Sequence, residues 1–162
     1  MSQKNNAIKK EQLEAYKAAV RFLGIREHNE HELREKLSRK NYDDIIIDDV
    51  IELLKHYDYL SETRYAETFL RSRLKKGETP WLAAQKARQK GADSTALKTA
   101  FIDAEQSFDA WAACKEVLDK RDPAGLYRHD KRVWQRQMRY LQNKGYDMQT
   151  ILQVMNNEDD ET

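Results

Sequence analysis

Three four-residue segments of one kind recur along this chain: Lys40-Asn41-Tyr42-Asp43, Lys90-Gly91-Ala92-Asp93 and Lys144-Gly145-Tyr146-Asp147, spaced by 50 and 54 residues. Each has a mechanical reading. Lys in a last helical turn meets the negative end of the helix dipole. Gly, or Asn as the next-best residue, takes the left-handed conformation that ends a helix. A small or apolar residue then packs inward, and Asp caps the next helix. A period of this length marks a tandem array of supersecondary units, each too small to bury a robust core alone.

The flanking helices repeat as well. Seven, ten and eleven residues beyond each Lys stand Ile47, Val50 and Ile51, then Leu97, Ala100 and Phe101, then Ile151, Val154 and Met155. That spacing makes one helical stripe. The helices before the turns carry Leu33 and Leu37, then Ala83 and Ala87, then Trp134, Met138 and Leu141. A further helix precedes each pair, with stripes at Leu13, Tyr16, Val20 and Leu23, at Tyr65, Phe69 and Leu70, and at Phe108, Trp111, Ala112, Cys114 and Leu118. Asn29 with Glu32, Ser61, and Thr79 before Pro80 read as helix starts. Arg121-Asp122-Pro123-Ala124-Gly125 reads as a loop inserted in the third unit.

Only five Gly and two Pro occur in 162 residues. Average usage, about 7% and 5%, would supply about 19. So few turn-formers argue against a sandwich or barrel. The expected fold is therefore all-α: three tandem three-helix repeats in an elongated, curved, solenoid-like molecule. The repeats are expected at 10–60, 61–105 and 106–156, between a disordered N-terminus, 1–9, and an acidic disordered tail, 157–162.

Several function classes are disfavoured. No apolar run approaches the roughly 20 residues of a membrane span, and the first residues show no secretory pattern. One cysteine, Cys114, suits a reducing cytosol and reads as a buried structural thiol. The P-loop, dinucleotide and nucleophile-elbow glycine patterns are all missing. His28 and His31 are the sharpest metal candidates, but His28 precedes the proposed cap at Asn29 and shares no regular helical face with His31. Asp44 and Asp48 share a face, which reads as solvated rather than as a nuclease centre. Neither enzyme chemistry nor a cofactor is expected.

The net charge of +1 hides strong segregation. Residues 43–58 hold six acids against one Lys, 64–91 eight bases against two acids, and 128–146 six bases against one acid. The densest run, Arg71, Arg73, Lys75 and Lys76, continues after a turn into Lys86, Arg88 and Lys90. Such a surface suits phosphate backbones or an acidic protein face. Arg132, Arg136 and Arg139 form a lesser basic side on an amphipathic helix. Tyr57, Tyr59, Tyr65 and Tyr127 are candidates for base stacking, with packing the alternative.

Val20 to Arg26 with Glu32-Leu33 and Lys36-Leu37, then Tyr59-Leu60-Ser61-Glu62-Thr63-Arg64-Tyr65-Ala66, continue through Arg71, Lys76-Gly77 and Pro80 to Lys90-Gly91. This pattern resembles the RecX family, bacterial regulators of the RecA recombinase, over residues 10–156. The resemblance implies three three-helix repeats and a cytoplasmic monomer that lodges in the groove of the RecA–DNA filament. There it suppresses ATP hydrolysis, strand exchange and co-protease activity, or promotes disassembly, and so modulates DNA repair and the SOS response. It also implies weak, non-specific binding of single- or double-stranded DNA. Asn41 departs from the family's usual Gly, and Ala83, Lys86 and Ala87 from its usual large aliphatic, acid and Leu. The other reading is a DNA-binding regulator that uses one helix pair as a helix-turn-helix.

Overall fold

Left-handed residues set the helix ends. Asn41, Gly91 and Gly145 take φ values of 63°, 84° and 96°. The next amide, of Tyr42, Ala92 or Tyr146, donates to the carbonyl five residues back. That is the Schellman closure of a helix C-terminus. Asp93 and Asp147 then cap the following helices, accepting from Ala96 N at 2.9 Å and Thr150 N at 2.7 Å. Asp43 stands at the same place but makes no side-chain cap bond.

The computed structural model describes residues 2–157, with side chains from Lys9. Among them run nine α-helices and no strand: α1 Ser2–Ile25, α2 Glu30–Ser38, α3 Asp44–His56, α4 Glu62–Lys75, α5 Pro80–Gln89, α6 Ser94–Gln106, α7 Ala110–Arg121, α8 Lys131–Asn143 and α9 Met148–Asn156. The chain is all-α, as expected. Helical backbone reaches back to Ser2, into the stretch expected to be disordered, where Gln, Lys and Ala are good helix formers. The acidic residues 158–162 lie outside the described residues. In the inserted loop, Asp122 is buried and its carboxylate accepts from Leu126 N at 3.1 Å and Tyr127 N at 2.9 Å. A 3-10 turn at Leu126–Arg128 follows.

The helices gather into two compact units. The first holds residues up to Phe69 with Lys86–Ala100; the second holds Leu70–Gln85 with residues from Phe101 onward. Helices α4, α5 and α6 thus contribute to both. The first unit's core is Ala15, Ala18, Ala19, Leu33, Leu37, Ile46, Ile47, Val50, Ile51, Leu54 and Leu60. Of the expected α1 stripe, Tyr16, Val20 and Leu23 pack partly buried against this core, Leu13 is half exposed, and the alanines are the residues that lie buried. Small side chains let α1 approach α3 closely. The second unit's core is Cys114, Leu118, Tyr127, Leu141, Tyr146, Ile151, Val154 and Met155. Burial pushes the Cys114 thiol up to about 12, which keeps it protonated and unreactive.

One joint occurs once in each unit. Asn29 caps α2, accepting from Glu32 N at 2.7 Å, and its amide donates to Lys90 O at 2.9 Å. Thr79 caps α5, accepting from Leu82 N at 3.3 Å, and its own N–H donates to Lys144 O at 2.9 Å. Each cap therefore satisfies a carbonyl of a recurring lysine one period further on. Glycine follows that lysine because the approach is close. A Cβ on Gly91 would stand 2.7 Å from His31 Cδ2, and one on Gly145 would stand 2.9 Å from Leu82 Cβ. Asn41 is solvent-exposed, so only its φ is demanding.

His28 is no ligand. It is 1% exposed, with Nδ1 donating to Arg26 O at 3.0 Å and Nε2 accepting from Lys36 Nζ at 2.7 Å. Burial first, then the neighbouring cations, hold its pKa below the ordinary 6.5. Below pH 6.5 the unfolded chain takes up a proton that folded His28 refuses. Its contribution is therefore full above 6.5 and lost as pH falls from there through the lower folded value. Urea midpoints should drop more steeply between pH 7 and 5 for the native chain than for His28→Gln. Equal slopes would show that His28 does not titrate differently on folding.

Candidate functional site

The expected cations divide into free and committed ones. On α4, Arg71 and Lys75 stand one turn apart on one face. Both are exposed, as is Lys76, and none of the three has a side-chain partner among the described residues. Arg73 lies between them but is turned to Glu78, Nη1 to Oε1 3.4 Å, where the acid's side chain is only 6% exposed. On α5, Lys86 is half-buried and engaged, whereas Arg88, and Lys90 just past the helix end, are exposed. These three belong to the first unit, and Arg71, Arg73, Lys75 and Lys76 to the second. Arg132, Arg136 and Arg139 form one exposed stripe on α8, at steps of four and three residues, with Gln137 and Leu141 buried on the other side.

The motif that carries most of the resemblance is structural. Leu60, Tyr65 and Ala66 are buried. Ser61 Oγ accepts from Arg64 N at 3.2 Å. Glu62 accepts from two helix-start amides, Glu30 N at 2.6 Å and Asp93 N at 3.2 Å. Arg64 donates to Glu27 at 3.0 Å and to the carbonyl of Asp58 at 2.7 Å, just beyond the end of α3. Tyr65 and Tyr127 are buried, and Tyr57 and Tyr59 are exposed. On the acidic helix, Asp48 meets Arg34 at 2.6 Å and Asp49 accepts from Gln12 at 3.3 Å. Glu30 holds both Arg34 and Lys55, and those bonds keep its carboxyl below the usual range despite burial. No group of three potential metal ligands occurs among the described residues. No described helix is long and apolar enough to cross a membrane.

Within the second unit a groove of about 790 Å³ opens among the end of α4, α7 and α8. Lys75 and Lys76 line one wall, Lys120 and Arg121 another, with Phe108, Val117, Tyr140 and Tyr146. The Arg121 guanidinium lies 3.8 Å from the Tyr140 ring centroid, and Lys144 Nζ 5.4 Å from the same ring. Arg121 also donates to Gln137 at 2.9 Å, and Lys144 to Lys76 O at 2.7 Å. The Tyr146 hydroxyl is buried with no hydrogen-bond partner, and burial pushes its pKa up. Sequence reasoning missed Lys120, Arg121 and Tyr140. The only signal was a pair of adjacent cations in the last turn of α7, which dipole compensation already explains.

Comparison with known proteins accounts for this arrangement of helices. Residues 15–54 match the first three-helix domain of RecX, and residues 109–155 the third. The regulatory protein RecX of Halorhodospira halophila is 36% identical over 146 residues, covering 89% of each chain. That of Syntrophotalea carbinolica is 31% identical over 148 residues, covering 90% of this chain and 96% of the relative. The crystal structure of RecX from Lactobacillus salivarius superposes with a TM-score of 0.71 at 19% identity, over 91% of this chain and 96% of that one. At that identity the superposition speaks for the fold, and the two sequence matches carry the assignment: this chain belongs to the RecX family of regulatory proteins.

Proposed function

We propose that this protein regulates the RecA recombinase. Acting as a cytoplasmic monomer, it lodges along the groove of the RecA–DNA filament and suppresses ATP hydrolysis, strand exchange and co-protease activity. DNA repair and the SOS response are tuned thereby. The observation that carries this reading is membership in a family of regulators over about nine-tenths of the chain. The free cations support it. Arg71, Lys75, Lys76, Arg88, Lys90, Arg132, Arg136 and Arg139 are exposed and lack internal side-chain partners among the described residues, so they are open to phosphates or acidic protein faces. In this reading the chain is three three-helix repeats, 10–60, 61–105 and 106–156, and it works by occupancy without chemistry of its own.

The test is a titration of DNA-dependent ATP hydrolysis by RecA at moderate salt. Substoichiometric protein should slow hydrolysis. Unchanged hydrolysis at concentrations where the protein co-sediments with filaments would overturn the reading, as would no co-sedimentation at all. A preference of about 10³ or more for one duplex over its scrambled counterpart would replace it with the helix-turn-helix reading.

A further inference from the structure

We propose that the outward face of α3 docks on α8 of a second copy of this chain, joining copies head to tail. Ile45, Asp49 and Leu53, with Tyr57 at the C-cap, follow one another along α3 at steps of four and form a single ridge. Ile45 is 76% exposed, Leu53 39% and Tyr57 60%, although a surface helix ordinarily turns its apolar side chains to the core. Beside this ridge runs a second, Asp44, Asp48 and Glu52, also exposed. Asp48 and Glu52 meet Arg34 and Lys55, but Glu30 holds both of those cations as well. Asp49 meets only the neutral Gln12, and Asp44 has no cationic partner among the described residues. Exposed apolar side chains thus stand beside uncompensated negative charge, which suits a cationic protein surface and repels phosphate.

The complementary surface is on the same chain. Arg132, Arg136 and Arg139 are exposed on α8 without side-chain partners among the described residues, and at 1.5 Å per residue they span about 10.5 Å. The acids from Asp44 to Glu52 span about 12 Å on the same measure, so three cations can face the acidic ridge with the helices side by side. Arginine also suits the apolar ridge, because its stem covers Ile45 and Leu53 and its guanidinium stacks on Tyr57. Helix α4 fits less well, since only Arg71 and Lys75 share its exposed face. The two docking faces differ, so the contact is heterologous and adds copies in one direction. One helix on another buries less than the roughly 1,200 Å² of a stable interface. The dilute chain therefore stays a monomer, and the contact forms at about 0.1–1 mM. Copies held side by side along a filament reach high effective concentrations, which makes occupancy cooperative; that consequence alone rests on the proposed function.

The test needs neither RecA nor DNA, so either reading can fail while the other stands. Amide NMR spectra of the isotope-labelled full chain are compared from about 0.05 to 1 mM protein in about 50 mM salt. Shifts that grow with concentration should fall on α3 and α8 and fade in about 0.5 M salt. Asp49→Arg with Glu52→Arg, and separately Arg132→Glu with Arg136→Glu, should each weaken the self-contact at least tenfold. Mixing the two variants restores opposite charges across the contact. The α3 amides of the labelled first variant should then shift again when the unlabelled second is added. Reversing two exposed cations elsewhere, Arg21→Glu with Lys98→Glu, should leave the shifts in place. The map on the native chain decides the matter even if a reversal fails to fold. Three results would overturn the proposal: no concentration-dependent shift up to about 1 mM, shifts that fall outside α3 and α8, or no recovery on mixing the two folded variants.

Discussion

Gly145→Ala should destabilise the protein by about 2–5 kcal/mol, whereas Asn41→Ala, at the corresponding turn, should cost about 1 kcal/mol. Two terms add at Gly145. Its φ of 96° lies in left-handed space, where an L side chain costs roughly 1–2 kcal/mol. Its new methyl would also stand 2.9 Å from Leu82 Cβ, and overpacking of this kind costs about 1–3 kcal/mol. Relief by retreat would break the bond from Thr79 N to Lys144 O, 2.9 Å long, which joins the two helix ends. At Asn41, φ is 63° and the side chain is exposed, so only the left-handed preference of Asn is lost. Urea unfolding at pH 7, read as a midpoint at constant m-value, measures both. Equal shifts would mean that the close approach contributes nothing. Gly91→Ala, facing the ring of His31 at 2.7 Å, should fall with Gly145→Ala.

This contrast also separates what the sequence discloses locally from what only packing creates. A turn that ends one helix and starts the next depends on four adjacent residues, so Lys-Gly-Tyr-Asp and its two variants disclose it locally. The joint from Asn29 to Lys90 spans 61 residues. In sequence Asn29 showed only its capping half, and the second bond of the same side chain had no local trace. The face of α1 is legible only in part, for a different reason. Tyr16, Val20 and Leu23 of the stripe pack against the core, yet closeness to α3 favours the smallest side chains, so Ala15, Ala18 and Ala19 fill its buried centre and Leu13 stays outside. The candidate site divides along the same line. Arg132, Arg136 and Arg139 were legible because one helix places them together. The groove was not, because Lys75 and Lys120 come from helices 45 positions apart and meet only through tertiary packing.

Arg73 shows the consequence most sharply, because sequence places it with Arg71 and Lys75 in a single basic run. Arg73→Glu should cost about 2–4 kcal/mol. It would set a second carboxylate beside Glu78, whose side chain is 6% exposed and which now receives Arg73 Nη1 at 3.4 Å. Removing one partner of a buried pair typically costs about 3–5 kcal/mol. Arg73 is itself about a quarter exposed, which moderates the loss, and repulsion between the two acids adds to it. Arg71→Glu, two residues away on an exposed face, should leave the urea midpoint within about 0.5 kcal/mol. If the proposed contact with RecA is right, however, it should weaken inhibition of ATP hydrolysis by at least tenfold. The two variants carry the same change of charge, so net electrostatics cannot separate them; only the direction of each side chain does. A destabilised Arg71→Glu beside a stable Arg73→Glu would reverse the assignment, making Arg73 the contact and Arg71 the strut.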